Sequence, residues 1–150
     1  MLRISLKNPE SGWAYAHLTD GSNELMVTGA YSPTDVLGDL DAVQNLQDMR
    51  AADCCWSQEP GELHWNLRRH GRDIEVEILE FREMRSGQHR GEGVSVFKSR
   101  AKWITFARQL LSFLESTRTD MGSEGYEQAW RHPFPKEAYE KLRNAIQREK

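Results

Sequence analysis

A chain of 150 residues, 38% hydrophobic and 29% charged, can close a core without a metal or disulfide staple, and one domain spanning 1–150 is expected. No apolar run approaches the ~20 residues of a membrane span, and the opening MLRISLKNPE lacks the apolar centre of a signal peptide. The net charge of −3 hides an asymmetry: residues 1–61 hold 9 acids and 3 bases, 62–108 hold 7 and 10, and 109–150 hold 7 of each. No basic stripe dominates, which argues against a nucleic-acid partner.

In chain order, Leu2, Ile4 and Leu6 alternate with polar residues and predict a short strand ending at Asn8-Pro9. Strands over about 12–19 and 24–31 follow, joined by the turn residues Asp20-Gly21-Ser22-Asn23. That turn opposes Leu18 to Leu25, Ala16 to Val27 and Ala14 to Gly29. The small residues on this face leave room for a helix to approach closely. A helix is well announced next: Ser32 as cap, Pro33 at the first helical position and Asp35 in the first turn. Val36, Leu37, Leu40, Val43 and Leu46 recur at helical spacing, with Asp41 and Asp48 away from that stripe and Asp39 at its border.

A strand over about 53–58 leads through Glu59-Pro60-Gly61 into the most regular stretch of the chain. Leu63, Trp65 and Leu67 alternate with His64, Asn66 and Arg68, and after His70-Gly71, Ile74, Val76 and Ile78 alternate with acids. With His70-Gly71 as the hairpin loop, Leu67 opposes Ile74, Trp65 opposes Val76 and Leu63 opposes Ile78. The polar face then opposes Arg68 to Asp73, Asn66 to Glu75 and His64 to Glu77. The pattern dissolves over 82–92, a candidate loop, and Val94 and Val96 restore it. Ser99 reads as the cap of a long helix to about Thr117, with Trp103, Ala107, Leu110 and Leu114 on one stripe. Met121-Gly122 breaks it, a short helix spans about 124–130, and the prolines of HPFP separate it from a last helix presenting Tyr139, Leu142 and Ile146. The order is three strands, a helix, four strands and two or three helices. This predicts an α+β fold of antiparallel meanders with helices packed on the sheet.

Chemistry is sparse. Cys54 and Cys55 are adjacent, so they lack the spacing of zinc ligands and make a poor disulfide; they read as reduced structural thiols suited to cytoplasm. No metal or cofactor is expected. His64 beside Glu77 and Glu75 offers an acid–base unit, but cross-strand charge pairing explains those residues already. Trp130 to Pro135 is the most distinctive string, read first as a rigid aromatic link. The acidic face of the first helix, Asp39, Asp41 and Asp48, is the candidate partner-binding surface, because a clustered negative field speeds encounter with a basic protein.

The strings NPESGWAYAHLTDG, YSPTDVLGDLDAV, EPGELHWNLRR and EGYEQAWRHPFP are similar to a family of small uncharacterised bacterial proteins, over most of the chain. That resemblance implies no activity and no functional residue. In size and solubility the chain also resembles the immunity proteins of bacterial polymorphic-toxin systems, a likeness of architecture. The leading expectation is therefore a non-enzymatic, cytoplasmic protein-binding module, an immunity protein against a basic toxin being its specific form. A small-ligand binder or enzyme with a pocket between sheet and C-terminal helices is the alternative, and a homo-oligomer pairing edge strands a third.

Overall fold

The computed structural model describes residues 1–21, 23–31, 51–58, 61–82 and 93–149. Strands β1 (Arg3–Leu6), β2 (Trp13–Asp20) and β3 (Asn23–Ala30) form one antiparallel sheet, paired in chain order. Strands β4 (Ala51–Ser57), β5 (Glu62–His70), β6 (Asp73–Phe81) and β7 (Val94–Lys102) form a second, again in chain order. Helices α1 (Trp103–Trp130) and α2 (Lys136–Arg148) complete the fold. It is α+β, as the element order implies. The helix expected over 33–49 and, beyond Arg82, the loop expected over 82–92 lie outside the described residues.

The first sheet has the expected register: Leu18 faces Leu25, Ala16 faces Val27 and Ala14 faces Gly29. Its turn begins at Gly21, whose φ of +59° an L side chain seldom adopts. The same requirement corrects the β5–β6 hairpin. There the loop is Gly71-Arg72, not His70-Gly71, and His70 pairs with Asp73. A loop starting at His70 would force a positive φ on a histidine, whereas Gly71 takes φ +62° at the first loop position without strain. Every pair therefore moves by two: Leu67 faces Val76, Trp65 faces Ile78, Leu63 faces Glu80 and His64 faces Leu79. Because the slip is even, each side chain keeps its face. Trp65, Val76 and Ile78 are fully buried, and Trp56 stacks on Trp65 with centroids 5.0 Å apart.

Ser99 is also corrected. It is a strand residue opposite Val76, not a helix cap, and β7 runs straight into α1 at Trp103. No side chain caps the helix; instead the first helical N–H, from Trp103, donates to the Arg72 carbonyl at 2.8 Å. The β5–β6 turn thus supplies an acceptor that a cap would otherwise provide. The two helical segments expected over 99–117 and 124–130 belong to one long element, interrupted at Gly122 with φ 72° and ψ 165°. Trp103, Ala107, Leu110 and Leu114 are buried on it as their spacing implies.

A continuous apolar cluster joins both sheets to both helices, from Ala14 and Leu18 through Trp65 and Ile78 to Phe106, Trp130 and Leu142. The sheets are also bridged by Asp20, at the end of β2. Its carboxylate accepts the Ser99 hydroxyl of β7 and the Met1 ammonium, the latter at 3.0 Å. The Ser99 hydrogen bond, then the ammonium, hold the Asp20 carboxyl below its ordinary range.

Two outcomes follow from this packing. Gly71→Ala meets no heavy atom within 4 Å of the added Cβ, so its cost is backbone strain alone, about 1–2 kcal/mol. Trp65→Ala opens the core and costs about 3–5 kcal/mol. Urea denaturation of both variants measures the ratio, and equal losses would contradict the burial of Trp65 in the core. For Asp20, a depressed folded pKa means that its stabilisation is complete above the unfolded value of about 3.9 and disappears as pH falls through the folded one. Asp20→Asn should therefore be less stable than the parent at pH 7 and converge with it as pH falls through the lowered folded pKa of Asp20, read by thermal unfolding across pH.

Candidate functional site

The two sheets use their outer faces differently. On the second sheet the polar face of β4–β5 is buried at the hairpin end: Ser57, Glu62 and His64 retain only 3%, 4% and 3% of their exposure. Carboxylates are seldom so buried without partners. The partners are present. Cys55 and His64 are cross-strand neighbours, and Glu62 is the next residue on that face of β5. The Cys55 thiol donates to Glu62 Oε2 at 3.3 Å, and His64 Nε2 lies 3.1 Å from Oε1. An ionised carboxylate can only accept, so opposite a charged Glu62 the proton of that hydrogen bond sits on Nε2.

The imidazole is held from the other side by Phe81, with ring centroids 4.9 Å apart. Phe81 is gripped in turn by two glycines. A Cβ at Gly61 would stand 2.7 Å from the Phe81 carbonyl oxygen, and one at Gly93 would stand 2.6 Å from its ring. The donor atoms of Cys55, Glu62 and His64 all lie within 4.8 Å of one another. As a nucleophile–base pair the order is wrong. The carboxylate stands between thiol and imidazole, so the histidine is not hydrogen-bonded to the thiol it would have to deprotonate. Next along β5, Asn66 is buried, and its Oδ1 has no partner among the described residues.

The pair expected of His64 and Glu77 does not form. The register puts Leu79 opposite His64, while Glu77 sits opposite Asn66 and accepts the Ser95 hydroxyl at 2.8 Å. Further along this face, Glu75 is flanked by Arg100 at 3.6 Å and Lys98 at 4.0 Å, and Asp73 accepts from Lys102 at 2.8 Å. Lys102 is the leading cause of a lowered Asp73 pKa.

The solvent face of the first sheet carries Tyr15 and His17 from β2 with Met26 and Thr28 from β3, directly opposed as His17–Met26 and Tyr15–Thr28. Met26 keeps 65% of its exposure, while Tyr15, His17 and Thr28 are half-buried. Glu24 holds the His17 ring, and Lys7 Nζ lies 5.9 Å from the centroid of Tyr15. Large side chains are thus presented on paired strands rather than on a loop.

The string from Trp130 to Pro135 works mainly as a joint. Phe134 packs edge-on against Tyr126 at 5.4 Å, and the Arg131 guanidinium lies 4.7 Å over Tyr31 while donating to its hydroxyl at 3.1 Å. His132 bonds the Tyr31 carbonyl at 2.6 Å. A groove of about 420 Å³ runs between β1 and α1, lined by Ile4, Leu6, Arg108, Gln109 and Phe113. Gln109 also accepts the Ile4 N–H at 2.9 Å, occupying part of the β1 edge. Asp39, Asp41 and Asp48 lie outside the described residues. Among those described, no helix is long and apolar enough to cross a membrane.

No family model and no curated protein matches this chain. Among solved structures it is similar to a chain of the CdiA-CT/CdiI toxin and immunity complex from Enterobacter cloacae. The two share 15% identity and a TM-score of 0.45, over 79% of this chain and 99% of that one. At that TM-score the likeness carries no argument about what this chain does, and the functional reading rests on its own residues.

Proposed function

We propose that this protein binds another protein without acting on it as an enzyme, and that its partner is basic. The observation that carries this reading is the exposed Met26 on the edge strand β3, which forms a strand-borne patch with Tyr15 and His17 of β2. Tyrosine and methionine are enriched in the cores of protein interfaces, and a rigid sheet loses little entropy when it docks. The charge of the partner follows from the excess of acids over bases in residues 1–61. Asp39, Asp41 and Asp48 belong to that segment and serve as the steering charges, speeding encounter rather than forming the contact itself. A cytoplasmic immunity protein that covers a basic toxin is the specific form of this function. The reduced thiols of Cys54 and Cys55 suit a reducing compartment.

The test is co-production with the protein encoded beside it, followed by association kinetics at two salt concentrations. Met26→Asp with Tyr15→Ala should weaken binding at least about 30-fold, as expected where two interface-core side chains are lost, with little change in melting temperature. Asp41→Lys with Asp48→Lys should slow association, and added salt should shrink that difference. Survival of cells producing the partner is the accompanying readout. A partner bound equally well by both variants would overturn the reading.

A further inference from the structure

We propose that Cys55, Glu62 and His64 bind a divalent transition-metal ion, and that their donor set selects Zn²⁺. The proposal stands on its own geometry and does not depend on protein binding. A thiolate, an imidazole and a carboxylate together suit zinc, whereas magnesium and calcium take oxygen donors. Zinc bonds of about 2.3 Å to sulfur and 2.0–2.2 Å to nitrogen and oxygen place neighbouring donors of a tetrahedron roughly 3.3–3.6 Å apart. The thiol stands 3.3 Å from one carboxylate oxygen, Oε2, and the imidazole 3.1 Å from the other, Oε1, with one donor atom from each residue inside 4.8 Å. Small side-chain shifts then close the site. The backbone is set for it by pairing of Cys55 with His64, across a turn closed by the Gln58 N–H to the Gly61 carbonyl at 2.8 Å.

Charge favours the ion as well. Glu62 is almost fully buried and receives hydrogen bonds from a thiol and an imidazole. A buried carboxylate is stabilised by a positive charge beside it, which a bound cation provides. When zinc enters, the Cys55 S–H bond breaks, its proton passes to solvent and the sulfur–zinc bond forms. His64 likewise releases its Nε2 proton to solvent, solvent supplying one at Nδ1 where that nitrogen is bare, so the neutral ring binds through the freed Nε2 lone pair and no electron changes hands. Three protein ligands leave a fourth tetrahedral position for water. Cys55 is the least buried of the three. Bound metal would staple β4 to β5, adding stability in proportion to its occupancy.

The test uses the whole chain, freed of metal by a chelator and titrated with Co²⁺, then with Zn²⁺. One Co²⁺ per chain should give strong visible bands of tetrahedral cobalt and a near-ultraviolet thiolate-to-cobalt band, both erased by Zn²⁺. Zn²⁺ should also raise the melting temperature. Cys55→Ser should remove the thiolate band, Cys54→Ala should keep it, and His64→Gln should weaken Zn²⁺ binding more than about 100-fold, beyond what loss of an outer partner costs. Should a variant fail to fold, Zn²⁺-dependent protection of Cys55 from alkylation in the parent protein supplies the same answer. Absence of the thiolate band at saturating Co²⁺, its survival in Cys55→Ser, or equal alkylation with and without Zn²⁺ would overturn the site.

Discussion

The positive φ of Gly71 is the constraint on which the second sheet depends. It decides which residue begins the β5–β6 loop, and the loop decides every pair below it. From that choice Trp65 meets Ile78 in the core, His64 meets Leu79 and is free to bond Glu62 along its own strand, and Glu75 falls beside Lys98 and Arg100. The next loop residue, Arg72, presents the carbonyl that takes the first N–H of α1. One backbone angle thus sets a strand register and starts a helix. Arg69 reinforces the same corner, bonding the Gly71 carbonyl at 2.8 Å and Glu149 beyond α2 at 2.9 Å while lying 4.7 Å over Trp103.

Sequence patterning recovered the faces of the strands more reliably than their partners. Alternation is a property of one strand, so Trp65, Val76 and Ile78 are buried as their pattern implies. Pairing is a property of the turn, and there only stereochemistry decides. The β2–β3 register was legible because Gly21 stood first in its assumed loop. The β5–β6 register was displaced because His70 was given the place that Gly71 must fill. Ser99 looked like a cap by its chemistry, yet sheet pairing with β6 carries the strand past it to Lys102, and its hydroxyl serves Asp20 instead. Long-range pairing overrides a local capping preference in that case.

The Cys55–Glu62–His64 grouping was illegible for a related reason. Familiar zinc spacings arise where a knuckle or one helical turn brings ligands together. On an antiparallel hairpin the separation is set by the distance of each residue from the turn, so Cys55 and His64 meet although eight residues intervene. A usable signal would have been three ligand-type residues sharing one face about a common turn. The adjacency of Cys54 drew notice to the wrong pair: Cys54 faces the core opposite Trp65, and its neighbour faces the polar side.

The division of labour between the two sheets has an electrostatic side. The second sheet neutralises its carboxylates locally, Asp73 against Lys102 and Glu75 between two cations, and such exposed pairs contribute little to stability or to a long-range field. In the first sheet Asp20 is engaged by the amino terminus and Ser99, and Glu24 by His17. Much of the negative excess of residues 1–61 comes from acids outside the described residues, including Asp39, Asp41 and Asp48. Screening limits such charges to a reach of about 8 Å at physiological salt. On the proposed reading they steer an approaching basic protein without replacing direct contact. A close-packed docking surface must come from side chains held by paired backbone, and the outer face of the first sheet, with Tyr15, His17 and Met26, meets that requirement.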